Sequence, residues 1–324
     1  TRFRNVTGVQ TCALPIWTSF RDVSITESEL RTAIAGINQA SLKDGKRAPH
    51  QPLFLLWLLG RLRQEGKSET DYEDVEAPVS ALIDTYGPAA TSKFRAELPF
   101  FHLSEKLWEL DDKQGLEPKR RVLLDCKARG RLRHEVEALL LGRSGLIEEV
   151  ARFIIEAQFT ESYIAPIFAS VGLDLDAAAA GHWGIAVDVN QKEKKRDPKF
   201  RKSVLVAWRF QCAMCGYDGQ MGAMSVGLEA AHVKWFAHGG PDDLDNGLAL
   251  CELHHALFDL GTIGLSPQLK IIVANDFIGK TEIAKRMVYD LHERSLLEPA
   301  PSRPFPLLDY VLWHGSQVFK SPAA

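Results

Sequence analysis

One stretch decides the reading. It runs Glu229-Ala-Ala-His-Val233, then Gly239-Gly-Pro-Asp-Asp-Leu-Asp-Asn-Gly247, then Leu248-Ala-Leu-Cys-Glu-Leu-His-His-Ala-Leu-Phe-Asp259. Two short apolar runs flank a loop rich in Gly, Pro and Asp, which is the grammar of a strand, a turn-rich connection and a second strand. A helix carrying two adjacent histidines follows, so residues 228–260 read as one strand–loop–helix unit. Asp242, Asp243 and Asp245 read as turn and cap residues of the loop, and His238 as a loop residue.

Two ligand-type pairs frame this unit, Cys212-x-x-Cys215 and Cys251-x-x-His254. Two short pairs roughly 35 residues apart follow the plan by which two knuckles close one tetrahedron. Cys212, Cys215, Cys251 and His254 are therefore expected to hold one structural Zn²⁺. Neighbouring residues on a helix point about 100° apart. With His254 turned to the zinc, His255 is left for other chemistry.

In this setting the stretch resembles the HNH nuclease family, the ββα-metal fold, over residues 198–265. The resemblance implies that His232, Asn246 and His255 are the catalytic set. Hydrolysis of a phosphodiester needs a base for water, a cation on the phosphate and help for the departing oxygen. An unperturbed imidazole titrates near pH 6.5, which suits His232 as the base. Asn246 can hold the His-bearing loop or orient the imidazole. His255 can hold a Mg²⁺ or Mn²⁺ ion. Many family members carry Asp directly before the first His, where this chain has Ala231. Glu229 or Asp259 could substitute as the carboxylate ligand of the catalytic metal, and the sequence does not choose between them.

Working outward, the chain has 324 residues, with 45% hydrophobic and 25% charged content. That is ordinary for a globular protein and suggests two domains. No apolar run reaches the ~18 residues needed to span a bilayer, so no membrane partner is expected. Five cysteines in a chain of this length do not form a secreted disulfide framework, which favours a reducing cytoplasm. The net charge of −3 does not itself announce nucleic-acid binding. Local runs do: Lys192 to Lys202 holds seven basic residues against two acidic ones, and Lys119 to Arg133 seven against one. Lys195, Arg196, Arg120, Arg121, Arg129 and Arg131 are candidate contacts to a DNA backbone. The bland alternative for the second run is a surface salt-bridged to acids of residues 135–150.

The N-terminal half reads as helical. Thr26 and Glu29 form a capping box, and Leu30, Ile34, Ile37 and Leu42 follow a helical period. A mostly apolar core helix spans Pro52 to Gln64. Another helix runs from Glu76 to Tyr86, where Gly87-Pro88 stops it. Residues 99–103 and 107–110 read as a hairpin, and 131–159 as one or two helices, with 161–165 as a candidate continuation until Pro166 interrupts. The prolines at 299, 301, 304 and 306 suggest an extended tail.

The pieces Arg47-Ala-Pro-His-Gln-Pro52, Tyr86-Gly-Pro88, Leu98-Pro-Phe-Phe-His-Leu103 and Leu107-Trp-Glu-Leu110 resemble, in order, the sulfur-binding domain of phosphorothioate-dependent, McrA-type restriction endonucleases. The resemblance covers about residues 25–170. It implies an apolar cup at Pro99, with Leu98 and His102 beside it, and His50, Gln51 and Arg47 near the duplex. Sulfur is softer and less hydrated than oxygen, so apolar contact can favour it.

The expected fold is α+β: a mostly helical N-terminal reader with a small hairpin, and a C-terminal zinc-stabilised ββα-metal (HNH) domain. Residues 1–16 resemble a translated sequencing adaptor, a disordered tail being the alternative. Residues 17–172 form the reader, 173–197 a linker with a basic arm, and 198–324 the nuclease with a C-terminal extension. The expected function is a modification-dependent restriction endonuclease acting on phosphorothioated double-stranded DNA. A second copy of the chain is a further candidate partner. The rivals are an HNH nuclease directed to methylated or sequence-specific DNA, and a non-catalytic zinc-stabilised DNA-binding protein.

Overall fold

The computed structural model describes residues 24–38, 49–88, 96–176, 197 and 199–320. The adaptor-like stretch, Leu42, Arg47, Lys195 and Arg196 lie outside them, as does most of the expected linker.

Helix α1 (Glu27–Asn38) opens on a reciprocal cap: Glu29 donates its N–H to Thr26 Oγ1 at 3.2 Å, and Thr26 donates its own to the Glu29 carboxylate at 2.9 Å. Helix α2 (His50–Glu65) is the axis of the reader. Leu53, Phe54, Leu56, Leu58, Leu59 and Leu62 are all fully buried, so this helix needs neighbours on nearly every side. After β1 (Thr70–Asp71), α3 (Tyr72–Tyr86) and α4 (Glu97–His102) supply two of them. Strand β2 (Trp108–Leu110), helix α5 (Arg120–Asp125) and strand β3 (Arg129–Leu132) follow, then α6 (His134–Gly142), α7 (Leu146–Gln158) and α8 (Ile164–Val171), the last two closing over α2.

Two local expectations change here. Residues 97–102 are helical, and Trp108–Leu110 pairs antiparallel with Arg129–Leu132, giving a three-stranded sheet in the order β1-β3-β2. The aromatic run suggested a strand, but Pro99 stands at the third helical position, where no intrahelical N–H bond is needed. Pro166 sits likewise at the third position of α8 and helps to start that helix.

The second half is built on β6 (Leu228–His232) and β7 (Gly247–Cys251), preceded by α9 (Phe200–Ala207) and a two-residue pairing of β4 (Gln220–Met221) with β5 (Met224–Ser225). Strands β6 and β7 are antiparallel, with His232 opposite Gly247 and Leu228 opposite Cys251. Helix α10 (Glu252–Asp259) follows without a break, making the expected ββα unit. Strands β8 (Ile263–Leu265) and β9 (Ile271–Val273) and helix α11 (Glu282–Met287) extend it. The tail is not wholly extended. Past its prolines it forms α12 (Leu308–Gln317), whose Val311 and His314 are buried, and Lys320 reaches back to the Gly87 carbonyl. Among the described residues no helix is long and apolar enough to cross a membrane.

The two halves share a core. Trp235, from the loop between β6 and β7, is fully buried and belongs to the reader's apolar cluster, as does Val318. The Trp235 ring lies edge-on to Tyr163 at 5.3 Å and to Trp313 at 5.9 Å. His238 of the same loop donates from Nε2 to the Gln158 carbonyl oxygen at 3.0 Å, across this joint. Removing a buried aromatic side chain costs about 3–5 kcal/mol. Trp235→Ala is therefore expected to split one calorimetric unfolding transition into two, the C-terminal half melting first. A single transition at the wild-type temperature would show that the halves are not joined through this ring.

Candidate active site

The Cys212, Cys215, Cys251 and His254 ligand atoms all lie within 4.8 Å of one another, and among the described residues they form the one such metal-binding group. Bonds of about 2.3 Å to sulfur in a tetrahedron place sulfur atoms about 3.8 Å apart. Cys215 and Cys251 Sγ are 3.9 Å apart, and His254 Nδ1 is 3.1 Å from Cys251 Sγ and 3.6 Å from Cys212 Sγ. His254 Nε2 donates to the Met287 carbonyl at 2.7 Å, which leaves Nδ1 with its lone pair toward the sulfurs. The donor set and its spacing fit a tetrahedral ion. Closing it would pin the start of α10 to the Cys212–Cys215 turn.

His232 ends β6, where the strand opens into the loop. Its Nε2 donates to Asp242 Oδ1 at 2.7 Å, and its ring stacks on Phe200 at 4.2 Å. The other Asp242 oxygen accepts the Asp197 N–H at 2.6 Å. A neutral imidazole that donates from Nε2 presents Nδ1 as its basic nitrogen. Asp242 is thus the partner that orients His232, and the turn-residue expectation for it is corrected. Its place ten residues past His232, in a loop that must fold back, was the available signal.

Asn246 is fully buried. Its side-chain oxygen accepts the Lys234 N–H at 2.8 Å, and its Nδ2 donates to the Lys234 and Pro241 carbonyls at 3.0 and 2.9 Å. These bonds tie the two ends of the loop together, so of the two roles open in the sequence it performs the loop-holding one. The glycines before it are required by the same fold-back. Gly239 has φ of +81°, and a Cβ on Gly240 would overlap the Lys234 carbonyl and crowd the Asn246 amide.

His255 projects from the other face of α10 from His254. Its Nδ1 lies 2.5 Å from Glu229 Oε2 and its Nε2 3.3 Å from Asp259 Oδ2. Both carboxylates that the sequence left open therefore flank it. Burial disfavours the His255 cation, but the Asp259 charge, with hydrogen bonds to both carboxylates, outweighs burial and pushes the pKa up to about 10. The His255 hydrogen bond holds Glu229 below the usual range. For Asp259, burial raises the pKa, and it is overcome by the His255 charge and by hydrogen bonds from His255, Ser162 and Thr160.

His232, Asp242, Glu229, His255 and Asp259 line one cleft of about 290 Å³. Five carboxylates line it, from Glu161, Asp197, Glu229, Asp242 and Asp259, against Arg201, His232 and His255. An anionic phosphate would be repelled here unless a cation came with it. The hard oxygen donors of Glu229 and Asp259, with the His255 imidazole once a cation displaces the proton held between them, suit Mg²⁺ or Mn²⁺, which binds through one or two carboxylates and completes its shell with water and phosphate oxygens. Thr160 and Ser162, which come from the N-terminal half and donate to Asp259 at 2.8 and 2.7 Å, carry no signal of this role in their local sequence.

The reader residues are placed less as expected. Helices α2 and α4 pack together, which brings His50 and Gln51 onto the helix next to Leu98, Pro99 and His102. Pro99 is buried, whereas Leu98 is 46% exposed and His102 is exposed. The apolar surface on offer is thus Leu98 rather than the proline. Three of the four candidate arginines are already paired: Arg120 with Glu76, Arg129 with Asp71 and Glu69, and Arg131 with Glu109. The partners are not the acids of residues 135–150, although Arg133 does pair with Glu135. Among the described residues, Arg121, its side chain 92% exposed, pairs with the exposed Asp125 at 3.4 Å, a surface pair that leaves most of its charge for a phosphate.

Two family models match the chain: the ScoMcrA-like DNA sulfur-binding domain over residues 27–176, and the HNH endonuclease over residues 212–266. Among solved structures, the chain is similar to the sulfur-binding domain of SprMcrA complexed with phosphorothioated DNA, at 21% identity and a TM-score of 0.39, over 47% of this chain and 97% of that one. It is also similar to the modification-dependent TagI restriction endonuclease, at 23% identity and a TM-score of 0.29, over 41% of this chain and 40% of that one. A third is the Type IV phosphorothioation-dependent restriction endonuclease ScoMcrA, at 19% identity and a TM-score of 0.41, over 58% of this chain and 34% of that one. No curated protein matches the chain. The two matched segments coincide with the helical half and the ββα half, and the chain is an HNH-type DNA endonuclease that carries a ScoMcrA-like DNA sulfur-binding domain.

Proposed function

We propose that the chain binds phosphorothioated double-stranded DNA through residues 17–172 and hydrolyses a phosphodiester nearby through residues 198–324, with 173–197 as a basic linker. The observation that carries this reading is the His232–Asp242 pair facing His255 and Asp259 across one acidic cleft, in a chain whose other half is a sulfur-binding domain. Three free cysteine ligands and a DNA substrate suit a reducing cytoplasm.

His232 Nδ1 takes a proton from water as the water attacks phosphorus. Asp242 keeps the imidazole in the required tautomer and stabilises the imidazolium that forms. Asn246 holds the loop so that the His232 ring stays against Phe200. His255 and Asp259, with Glu229, would hold a Mg²⁺ or Mn²⁺ ion, which supplies charge for the phosphoryl oxygen and the departing 3′ oxygen. Cys212, Cys215, Cys251 and His254 would hold Zn²⁺, which belongs to the fold and not to the reaction. In the reader, Arg121 and its neighbours hold the backbone whatever its chemistry, and Leu98 provides apolar contact for sulfur.

Loss of a positioned general base typically costs about 10²–10⁴-fold in rate. His232→Ala should lose cutting by that order while DNA affinity stays within about twofold, and near-wild-type cutting would remove His232 from its role.

Cys212→Ser should lose one equivalent of zinc, read by elemental analysis of the pure protein, and the nuclease half should unfold at lower temperature. Full zinc content in that variant would exclude the tetrad.

Exchange of one oxygen for sulfur should favour binding by about 1–3 kcal/mol, as for other single-contact discriminations. Matched duplexes with and without one stereodefined phosphorothioate measure this, and Leu98→Glu should abolish the preference. Equal affinity of the wild type for both duplexes would exclude sulfur reading and leave the nuclease in place.

A further inference from the structure

The nuclease half does not build the cleft alone. Part of its wall is Phe159, Thr160 and Glu161, from the turn that joins α7 to α8 in the reader. Thr160 Oγ1 and Ser162 Oγ both donate to one oxygen of Asp259, Oδ2, at 2.8 and 2.7 Å. Tyr163 donates to the Asp259 backbone carbonyl at 2.9 Å. Asp259 is 1% exposed. Its second oxygen, Oδ1, is buried and has no hydrogen-bond partner, an arrangement that native proteins rarely leave unexplained. Asp259 lines a cleft that must take a cation to accept phosphate, and a buried carboxylate oxygen there with no donor has a cation as its natural partner.

We propose that Thr160 and Ser162 are positioning residues of the nuclease: the reader's two hydroxyls hold Asp259 Oδ2 so that Oδ1 is presented to the catalytic cation. This rests on the reading above that Asp259 and His255 hold that cation. The terminal torsion of an aspartate is broad, and its two oxygens are chemically alike. Two charge-assisted donors converging on one oxygen select one orientation. The turn that carries them is itself rigid, because Phe159 and Tyr163 on either side are buried and their rings lie 5.0 Å apart. The reader is then more than a targeting module. It contributes the outer layer of the cation site, and a nuclease half parted from it would hold Asp259 less well oriented.

The test uses the full-length, zinc-loaded protein. Mn²⁺ binding is followed by electron paramagnetic resonance in a His232→Ala background, which keeps the cation site without cutting. Adding Thr160→Ala and Ser162→Ala should weaken Mn²⁺ binding about 10–100-fold, the usual effect of removing a group that orients a metal ligand. In the enzyme that retains His232, the Mn²⁺ concentration for half-maximal cutting should shift by the same factor, with DNA affinity unchanged. Thr160→Ser should restore both. Tyr163→Phe, which loosens the same joint without touching the carboxylate, should lower thermal stability and leave Mn²⁺ affinity alone. If Asp259→Asn abolishes Mn²⁺ binding but the double alanine variant binds as tightly as its parent, the positioning role is overturned. If Asp259→Asn itself binds Mn²⁺ normally, the cation-site reading fails instead. Should the double variant not fold, isosteric Thr160→Val decides: weakened binding supports the proposal and unchanged binding overturns it.

Discussion

Asp259 is a fully buried carboxylate gripped from both halves of the molecule, and much of the architecture follows from keeping it charged. Burial alone would favour its neutral form. His255 one helical turn back, with Thr160 and Ser162 from the reader, reverses that preference. A donor set drawn from residues about a hundred positions apart survives only if the elements that carry it cannot slide. Trp235 supplies that restraint, as a large aromatic side chain from the nuclease loop sunk in the reader core. The tail closes the joint from another side: His314 stacks on Phe258 at 3.8 Å and its Nε2 donates to the Phe258 carbonyl at 2.9 Å.

Within the nuclease half, the same logic operates at shorter range. A two-stranded sheet with one eight-residue helix is too small to define its own geometry. The Cys212–Cys215 turn and the Cys251–His254 turn converge to brace it, and Asn246 braces the loop in between. Each imidazole of the cleft is then oriented by a carboxylate: His232 by Asp242, His255 by Glu229 and Asp259. The acidity that results is unfavourable for a nucleic-acid substrate. It becomes intelligible once a divalent cation is part of the working site.

The legible parts of this protein were those encoded over short spans. Two ligand pairs with fixed spacing, a Gly-Gly turn and a His–Asn–His set can be read from residues that are near neighbours in the chain, and the capping box at Thr26 likewise. Asp242 escaped because acidic loop residues are commonly just solvated, and only the fold-back of the loop carries it to His232. Thr160 and Ser162 escaped because their partner lies 99 and 97 positions away. Residues 97–102 were misread because a six-residue helix has no period to detect, and its aromatic content argued for a strand. The ion pairs of the basic run at 119–133 were not legible, since acids as distant as Asp71 and Glu76 pair with its arginines. Helix α12 was hidden behind four prolines that end before it begins.

The central claim is that reader and nuclease form one body, joined through Trp235 and Asp259, so that a bound modification fixes where the cleft meets the duplex. Sequencing the ends released from a long duplex with one phosphorothioate at a known position tests this directly. Cuts confined to a narrow window at one offset from the modified phosphate are the predicted result. Cuts spread evenly over many helical turns would mean that the nuclease moves freely on a tether, and would contradict the account.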